Sequence, residues 1–221
     1  MNGILLIDKP AGWTSHDVVA KVRAVLKKET GRKIKVGHSG TLDPAATGLL
    51  VLLVGSYTKR AGNFSKLDKT YEAEITLGYT STTGDKEGEL SPKSTERPPE
   101  EQVRAVLGAF EGQIEQIPHA YSAVKVGGQR AYKLAREGKT PKLEPRKVTI
   151  DSITSMKYAY PKLFLTAKVS SGTYIRSLAE DIGTKLGTGA YLSALHRTEV
   201  GRFNIENAKD LQEVNKSAII G

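Results

Sequence analysis

An α+β fold with a mixed, mainly antiparallel central sheet flanked by helices is what this 221-residue sequence predicts. Three observations lead there. Alternating stretches that read as strands intermix with 3.6-period stretches that read as helices, without the strict βαβ alternation of a parallel sheet. Residues 49–54 form one continuous apolar run between Gly48 and Gly55, as a strand buried on both faces would, and a short buried helix fits the same run. Residues 146–158 and 162–170 alternate across a short break, as paired strands do.

Taken in order, residues 3–8 are an apolar run ending at Asp8-Lys9-Pro10-Ala11-Gly12, a strand and then a turn. Ser15 is placed to cap a helix over 16–28 that puts Val18, Val19, Val22, Val25 and Leu26 on one face. The basic stretch 27–35 reads as a loop, by default a solvated face and, beside a site, a grip for phosphate. His38, Ser39, Thr41 and Asp43 then crowd between Gly37, Gly40 and Pro44, which excludes a regular helix or strand and predicts a shaped polar loop.

A short helix is expected within 59–69, a half-buried strand over 70–78, and a long exposed loop over 80–99 that is mobile without its ligand. A helix over 100–110 should end at Gly112, followed by two short strands around Pro118. Gly127-Gly128 predicts a turn, 129–137 a helix and 138–145 a connector. After the paired strands, Thr173 is expected to cap a helix over 173–186 with Ile175, Leu178, Ala179, Ile182 and Leu186 inward, closed by Gly187. A returning strand fills 190–202, and the tail 203–221 is a short helix at most. With no repeat or linker-like boundary, 1–221 reads as a single domain.

The chain has no cysteine, hence no disulfide framework and no thiolate metal site. Its opening lacks the basic and apolar regions of a secretory signal, and no run approaches the ~20 apolar residues of a membrane span. A soluble, cytoplasmic monomer without membrane contact is the expectation. Lys and Arg outnumber Asp and Glu by 33 to 24, a net charge of +9 that favours a polyanionic partner. The excess concentrates in Lys125, Arg130, Lys133, Arg136, Lys139, Lys142, Arg146 and Lys147, interleaved with Tyr121 and Tyr132. Cations among aromatics suit RNA, whose phosphates pair and whose bases stack.

Asp43 is the chemically interesting group. An Asp before Pro ordinarily makes a turn, its carboxylate accepting nearby backbone N–H groups. Here the turn lies in a His/Ser/Thr/Asp loop joined directly to a buried run, an arrangement in which reactive groups are held on a rigid scaffold. Local chemistry makes Asp43 a candidate and no more.

Longer motifs go further. Gly37-His38-Ser39-Gly40-Thr41-Leu42-Asp43-Pro44 with Ala46-Thr47-Gly48-Leu49-Leu50 resembles the signature of the TruB family of tRNA pseudouridine synthases, which act on the uridine at position 55 of the T loop. Further matches occur in the family's order: Leu6-Ile7-Asp8-Lys9-Pro10, Lys69-Thr70-Tyr71, Ile117-Pro118-His119-Ala120-Tyr121-Ser122-Ala123-Val124-Lys125, and Gly172-Thr173-Tyr174-Ile175-Arg176. The resemblance implies the pseudouridine-synthase fold, tRNA as partner through its T stem-loop, and neither cofactor nor metal. It implies that Asp43 is the catalytic carboxylate, that Tyr71 lies under the flipped base, and that His38 fills the gap the base leaves. It further implies that Arg176 pairs with the Asp43 carboxylate, that Tyr174 is a second active-site tyrosine, and that Lys9 and Leu195 bind substrate. An insertion at about 118–146 would clamp the RNA, with Lys125, Arg130, Lys133 and Arg146 on phosphate. Against that family's pattern, the 203–221 tail is expected to be too short for a full C-terminal RNA-binding module of the PUA kind.

Two other readings compete. An RNA-binding module without catalysis would show the same charge and basic segment. A glycosidase would require a second carboxylate across the scissile bond, for which Asp85 and Asp181 are available in sequence.

Overall fold

A computed structural model describes residues 1–122 and 124–220, so Ala123 of the midway motif and the final Gly221 lie outside the described residues. Along the chain run β1 (Gly3–Lys9), α1 (Ser15–Thr30), β2 (Val36–His38), β3 (Thr47–Val54), a 3₁₀ turn (Gly55–Arg60) and α2 (Ala61–Ser65). Next come β4 (Lys69–Leu77), β5 (Tyr79–Ser81), β6 (Leu90–Pro92), α3 (Glu100–Gly108), β7 (Gly112–Gln116), β8 (Lys125–Val126), β9 (Gln129–Arg130) and α4 (Ala131–Arg136). The chain closes with β10 (Arg146–Ala159), β11 (Lys162–Val169), α5 (Ile175–Lys185), β12 (Ala190–Val200), β13 (Phe203–Asn204) and β14 (Lys209–Asp210). Contacts group it into two compact units, Met1–Glu72 with Leu195–Gly221, and Ala73–Ala194, so that β4 and β12 are each divided between them.

In the first unit the strands are ordered β14-β1-β3-β12, with β2 on β3 and β13 on β12. β1 and β3 pair antiparallel from Gly3↔Val54 to Lys9↔Gly48, and β12 joins β3 in parallel. Leu50, Leu52 and Val54 pack with Val18, Val19, Val22 and Leu26 of α1, while Leu49, Val51 and Leu53 pack with Ile4, Leu6, Val200 and Phe203. Both phases of the run are thus covered, which decides for a strand over a buried helix.

Thr14, not Ser15, caps α1. Its hydroxyl accepts the Asp17 N–H and its own N–H donates to the Asp17 carboxylate, a reciprocal capping box. The helix extends to Thr30, so residues 27–30 of the expected basic loop are helical, and Gly31 closes it at φ 70°. Val36–His38, expected to lie in a loop, instead forms a short strand on Leu52–Val54, because buried Val36 adds to the α1 core. The tail also exceeds expectation. β14 pairs with β1, Ile4 and Ile220 exchange backbone hydrogen bonds, and Leu211 and Val214 enter the core beside α1.

In the second unit β4, β11, β10 and β7 lie side by side, β10 antiparallel to both its neighbours. Leu163, Leu165, Ala167 and Val169 of β11 are buried, as alternation predicts. α5 buries Leu178, Ala179 and Ile182 and packs on α3, which buries Val103 and Leu107. Thr173 is not the cap of α5: its hydroxyl donates to the Ser170 carbonyl, and Tyr174 takes the capping position without a side-chain bond. Helix α4 starts only at Ala131 because Gln129 and Arg130 pair with Val126 and Lys125. The second strand expected after Pro118 is only this two-residue arm. Residues 80–99 are mostly exposed and outside helix or strand, as expected, but they are not one open loop: β5 pairs with β6, and Asp85 between them is 7% exposed, its carboxylate accepting from the Thr83 hydroxyl and the Glu87 N–H.

Candidate active site

In the first unit the segment 39–46 is fixed point by point. Ser39 N–H donates to the Val51 carbonyl at 3.0 Å, tying the loop's start to β3. Ser15, freed from capping, turns inward: its hydroxyl donates to the Leu42 carbonyl at 3.1 Å and accepts the Leu42 N–H at 2.8 Å. The Pro44 carbonyl accepts from Gly12 N–H at 2.8 Å and from the Lys9 ammonium at 3.3 Å. Asp43, half-buried, therefore stands between two anchored residues, and its own carbonyl closes a turn by accepting the Ala46 N–H at 3.1 Å. The turn-forming and reactive readings of this Asp-Pro are compatible, since the backbone makes the turn.

Lys9 is no solvated turn residue. It is fully buried, its Nζ donating to the carbonyls of Pro10 (2.9 Å), Trp13 (2.7 Å) and Pro44 (3.3 Å), which joins the 10–13 turn to the Asp43 loop. Arg197 of β12, 1% exposed, is the residue that sequence reasoning missed here. Its Nε donates to the Leu49 carbonyl at 2.8 Å, its Nη2 to Gly40 at 3.2 Å and its Nη1 to Thr41 at 3.5 Å. A lone Arg in a returning strand carries no sequence signal of such burial. A Cβ on Gly40 would touch both Arg197 Nη1 and Lys69 Cε, so two cations underlie this point of the loop.

Burial and then the Arg197 guanidinium pull the Lys69 pKa down to about 8. The same two causes, in the same order, lower that of His38, and a weaker backbone interaction with Gly40 opposes them. His38 Nδ1 is buried with no hydrogen-bond partner among the described residues. Tyr71 is 8% exposed in β4, and Leu195 is half-buried in β12, its carbonyl 3.5 Å from the Thr47 hydroxyl. Asp43, Lys9, His38, Tyr71 and Leu195 thus all belong to the first unit, Arg176 and Tyr174 to the second.

Arg176 occupies the first turn of α5, where the helix dipole disfavours a cation, yet it is only 7% exposed. The second unit surrounds it with acceptors: the Thr83 carbonyl 3.1 Å and an Asp85 carboxylate oxygen 3.3 Å from Nη1, and the Tyr121 carbonyl 2.8 Å from Nη2. Asp85 is an ion-pair partner of Arg176 that the sequence offered only as a spare carboxylate. Tyr174 is aimed by Gln116, whose amide accepts from the Tyr174 N–H at 2.8 Å and donates to its carbonyl at 3.0 Å. Lys125, Arg130, Lys133 and Arg146 are all exposed, the first two opposite each other in the β8–β9 hairpin. No group of three metal-ligating side chains occurs among the described residues, and none of their helices is long and apolar enough to cross a membrane.

Known proteins are similar to this chain in sequence and in fold. The profile described as "TruB family pseudouridylate synthase (N terminal domain)" matches residues 24–175, and that of the "tRNA pseudouridylate synthase B C-terminal domain" matches 176–220. A tRNA pseudouridine synthase B of Mycobacterium sp. (strain KMS) is 47% identical over 218 residues, covering 95% of this chain and 70% of that protein. The protein of the same name from Thermobifida fusca (strain YX) is 46% identical over 222 residues, covering 96% and 74%. Among solved structures, a chain in the crystal structure of a Cbf5-Nop10-Gar1 complex superposes with TM-score 0.73 at 31% identity, covering 96% of this chain and 53% of that one. A chain of an H/ACA RNP bound to a substrate RNA containing 2′-deoxyuridine gives 0.69 at 28%, with 96% and 51% covered. This chain spans about half the length of those two solved chains. The α+β architecture with its mixed sheet and these likenesses agree with the pseudouridine-synthase fold. The chain belongs to the TruB family of pseudouridylate synthases.

Proposed function

We propose that this chain isomerises uridine to pseudouridine in tRNA, at position 55 of the T loop, with Asp43 as the catalytic carboxylate. The observation that carries the reading is the anchoring of Asp43: Ser15 holds Leu42 before it, Lys9 and Gly12 hold Pro44 after it, and Arg197 holds Gly40 and Thr41. A carboxylate that must meet one sugar or one base is best held on such a support. Family membership and the relatives' names support the same conclusion.

The reaction breaks the bond from N1 to C1′, turns the base and forms a bond from C5 to C1′. The C5 proton is lost and N1 gains one, so nothing is oxidised, reduced or hydrolysed. One carboxylate serves in either of two schemes, as nucleophile at sugar or base, or as the base that removes the C2′ proton. Eversion of a stacked uridine costs a few kcal/mol, which stacking in the site must offset. Tyr71 lies under the everted base, His38 fills the gap, Lys9 and Leu195 shape the substrate site, and Tyr174 contacts the base. Arg176 supplies the cation that the resemblance assigns to the Asp43 carboxylate. Lys125, Arg130, Lys133 and Arg146 grip phosphates of the T stem.

Asp43→Asn tests the reading. Pseudouridine mapping on a T stem-loop RNA by carbodiimide or mass spectrometry should find no product, with RNA binding largely kept. Turnover near that of the unchanged protein would overturn it, and RNA that binds the unchanged protein but stays chemically unaltered would favour a non-catalytic module.

A further inference from the structure

We infer that His119 is a positioning residue for Arg176, acting through the lone pair of its Nδ1. The inference rests on the reading above that Arg176 serves the reaction. His119 lies in residues 117–124, which contain no helix or strand among the described residues, yet its side chain is only 8% exposed. The Tyr121 N–H donates to Nδ1 at 3.2 Å, which makes Nδ1 the acceptor and places the ring proton on Nε2. Nε2 faces Glu180 Oε1 at 3.7 Å, and the ring stacks on Tyr121 with centroids 6.0 Å apart. Arg176 Nη1 lies 3.5 Å from the same Nδ1.

The two turns that hold Arg176 both meet this ring. Tyr121, whose carbonyl accepts from Nη2, is bound to it by its N–H. The turn carrying Thr83 and Asp85, which serve Nη1, approaches through Gly84, where a Cβ would lie 2.8 Å from His119 Nε2 and 3.1 Å from Glu180 Oε1. Gly84 has φ +71°, so its backbone shape and the missing side chain both suit this approach. His119 therefore spaces the 83–85 turn from the 119–121 turn and sets the direction of the guanidinium between them. Its nitrogen is a neutral acceptor. A carboxylate there would add to Asp85 and cancel the charge of Arg176, whereas the imidazole aims that charge without consuming it.

Three substitutions separate aiming from filling. His119→Asn keeps an acceptor at the δ position, His119→Gln moves it one bond outward towards the place of Nε2, and His119→Leu removes it. Pseudouridine formation on a T stem-loop RNA, with KM and kcat resolved and folding followed by thermal melting, is the measurement. Leu and Gln should each lower kcat about 10-fold or more with KM nearly unchanged, the size expected when a catalytic group is misaimed. Asn should restore most of the rate. Leu retaining normal kcat, Asn failing as badly as Leu, or a loss confined to KM would each overturn the inference. If the Leu variant does not fold, the Asn and Gln pair decides alone. Asp43→Asn, assayed alongside, keeps the two failures apart: turnover in that variant defeats the functional reading, whereas its inactivity together with a fully active His119→Leu defeats only this inference.

Discussion

Lys69 shows what burial does to a single group. At 8% exposure its ammonium donates to the carbonyls of Ser65, at 3.1 Å, and Leu67, and burial followed by the Arg197 charge lowers its pKa from 10.5 to about 8. Between those two values the unfolded chain holds a proton that the folded chain has released. Stability from this group therefore rises with pH from about 8 to 10.5, by roughly 3 kcal/mol in total, and stays at its lower level below pH 8. In Lys69→Met the rise should vanish, although two carbonyls lose their donor. Urea denaturation of both proteins at pH 7, 8, 9 and 10 checks this, and stability curves that stay parallel would refute it. Lysine 69 stood out in the sequence as part of Lys-Thr-Tyr, but its burial did not, because a strand's first residue gives no phase from which to read the side chain's surroundings.

At the scale of elements, the start of α1 divides two duties between neighbours. Thr14 caps the helix, and Ser15 holds Leu42 next to Asp43. Thr14→Ala should cost about 1 kcal/mol of stability and little turnover, as losing a cap does. Ser15→Ala should cost a similar amount yet reduce pseudouridine formation by a larger factor, because it frees the backbone beside the carboxylate. Equal turnover in the two variants, measured with the stability of each, would refute that division. The pattern of valines and leucines made α1 legible, but Thr14 and Ser15 are equally good caps by type. Which of them caps depended on a partner 27 positions away, Leu42, and local propensity carries no such information. The same holds for the 80–99 segment, rich in turn formers yet folded into a hairpin because buried Asp85 finds Arg176.

At the scale of the molecule, the C-terminal segment is part of the first unit. β14 completes the edge beside β1, Ile220 bonds to Ile4, and Leu211 and Val214 pack among Val18, Val22 and Leu52. A chain ending at Asn204 should lose several kcal/mol, since each buried aliphatic side chain contributes about 1.5–3 kcal/mol, and should expose the β1 edge to pairing with other chains. Thermal melting and light scattering check both, and a truncated chain that melts like the full one and stays monodisperse would refute them.

By itself the sequence determined the elements with strong periodicity, α1, the β10–β11 pair and α5, because burial of one face imposes a period that local residues must obey. The unbroken apolar run of β3 fitted a strand or a short helix, and only the packing of both its faces decided for the strand. The sequence also marked Asp43, Tyr71, Tyr174 and Arg176, through motifs long enough to resemble a family. Only the tertiary structure decided what holds those groups: Arg197 and Lys9 beneath the loop, Gln116 on Tyr174, and Asp85 with His119 around Arg176. Each of these is a polar side chain whose partner lies far away in sequence. Hydrogen bonds and charge pairs of that kind follow from how the chain packs, and no local pattern of residues encodes them.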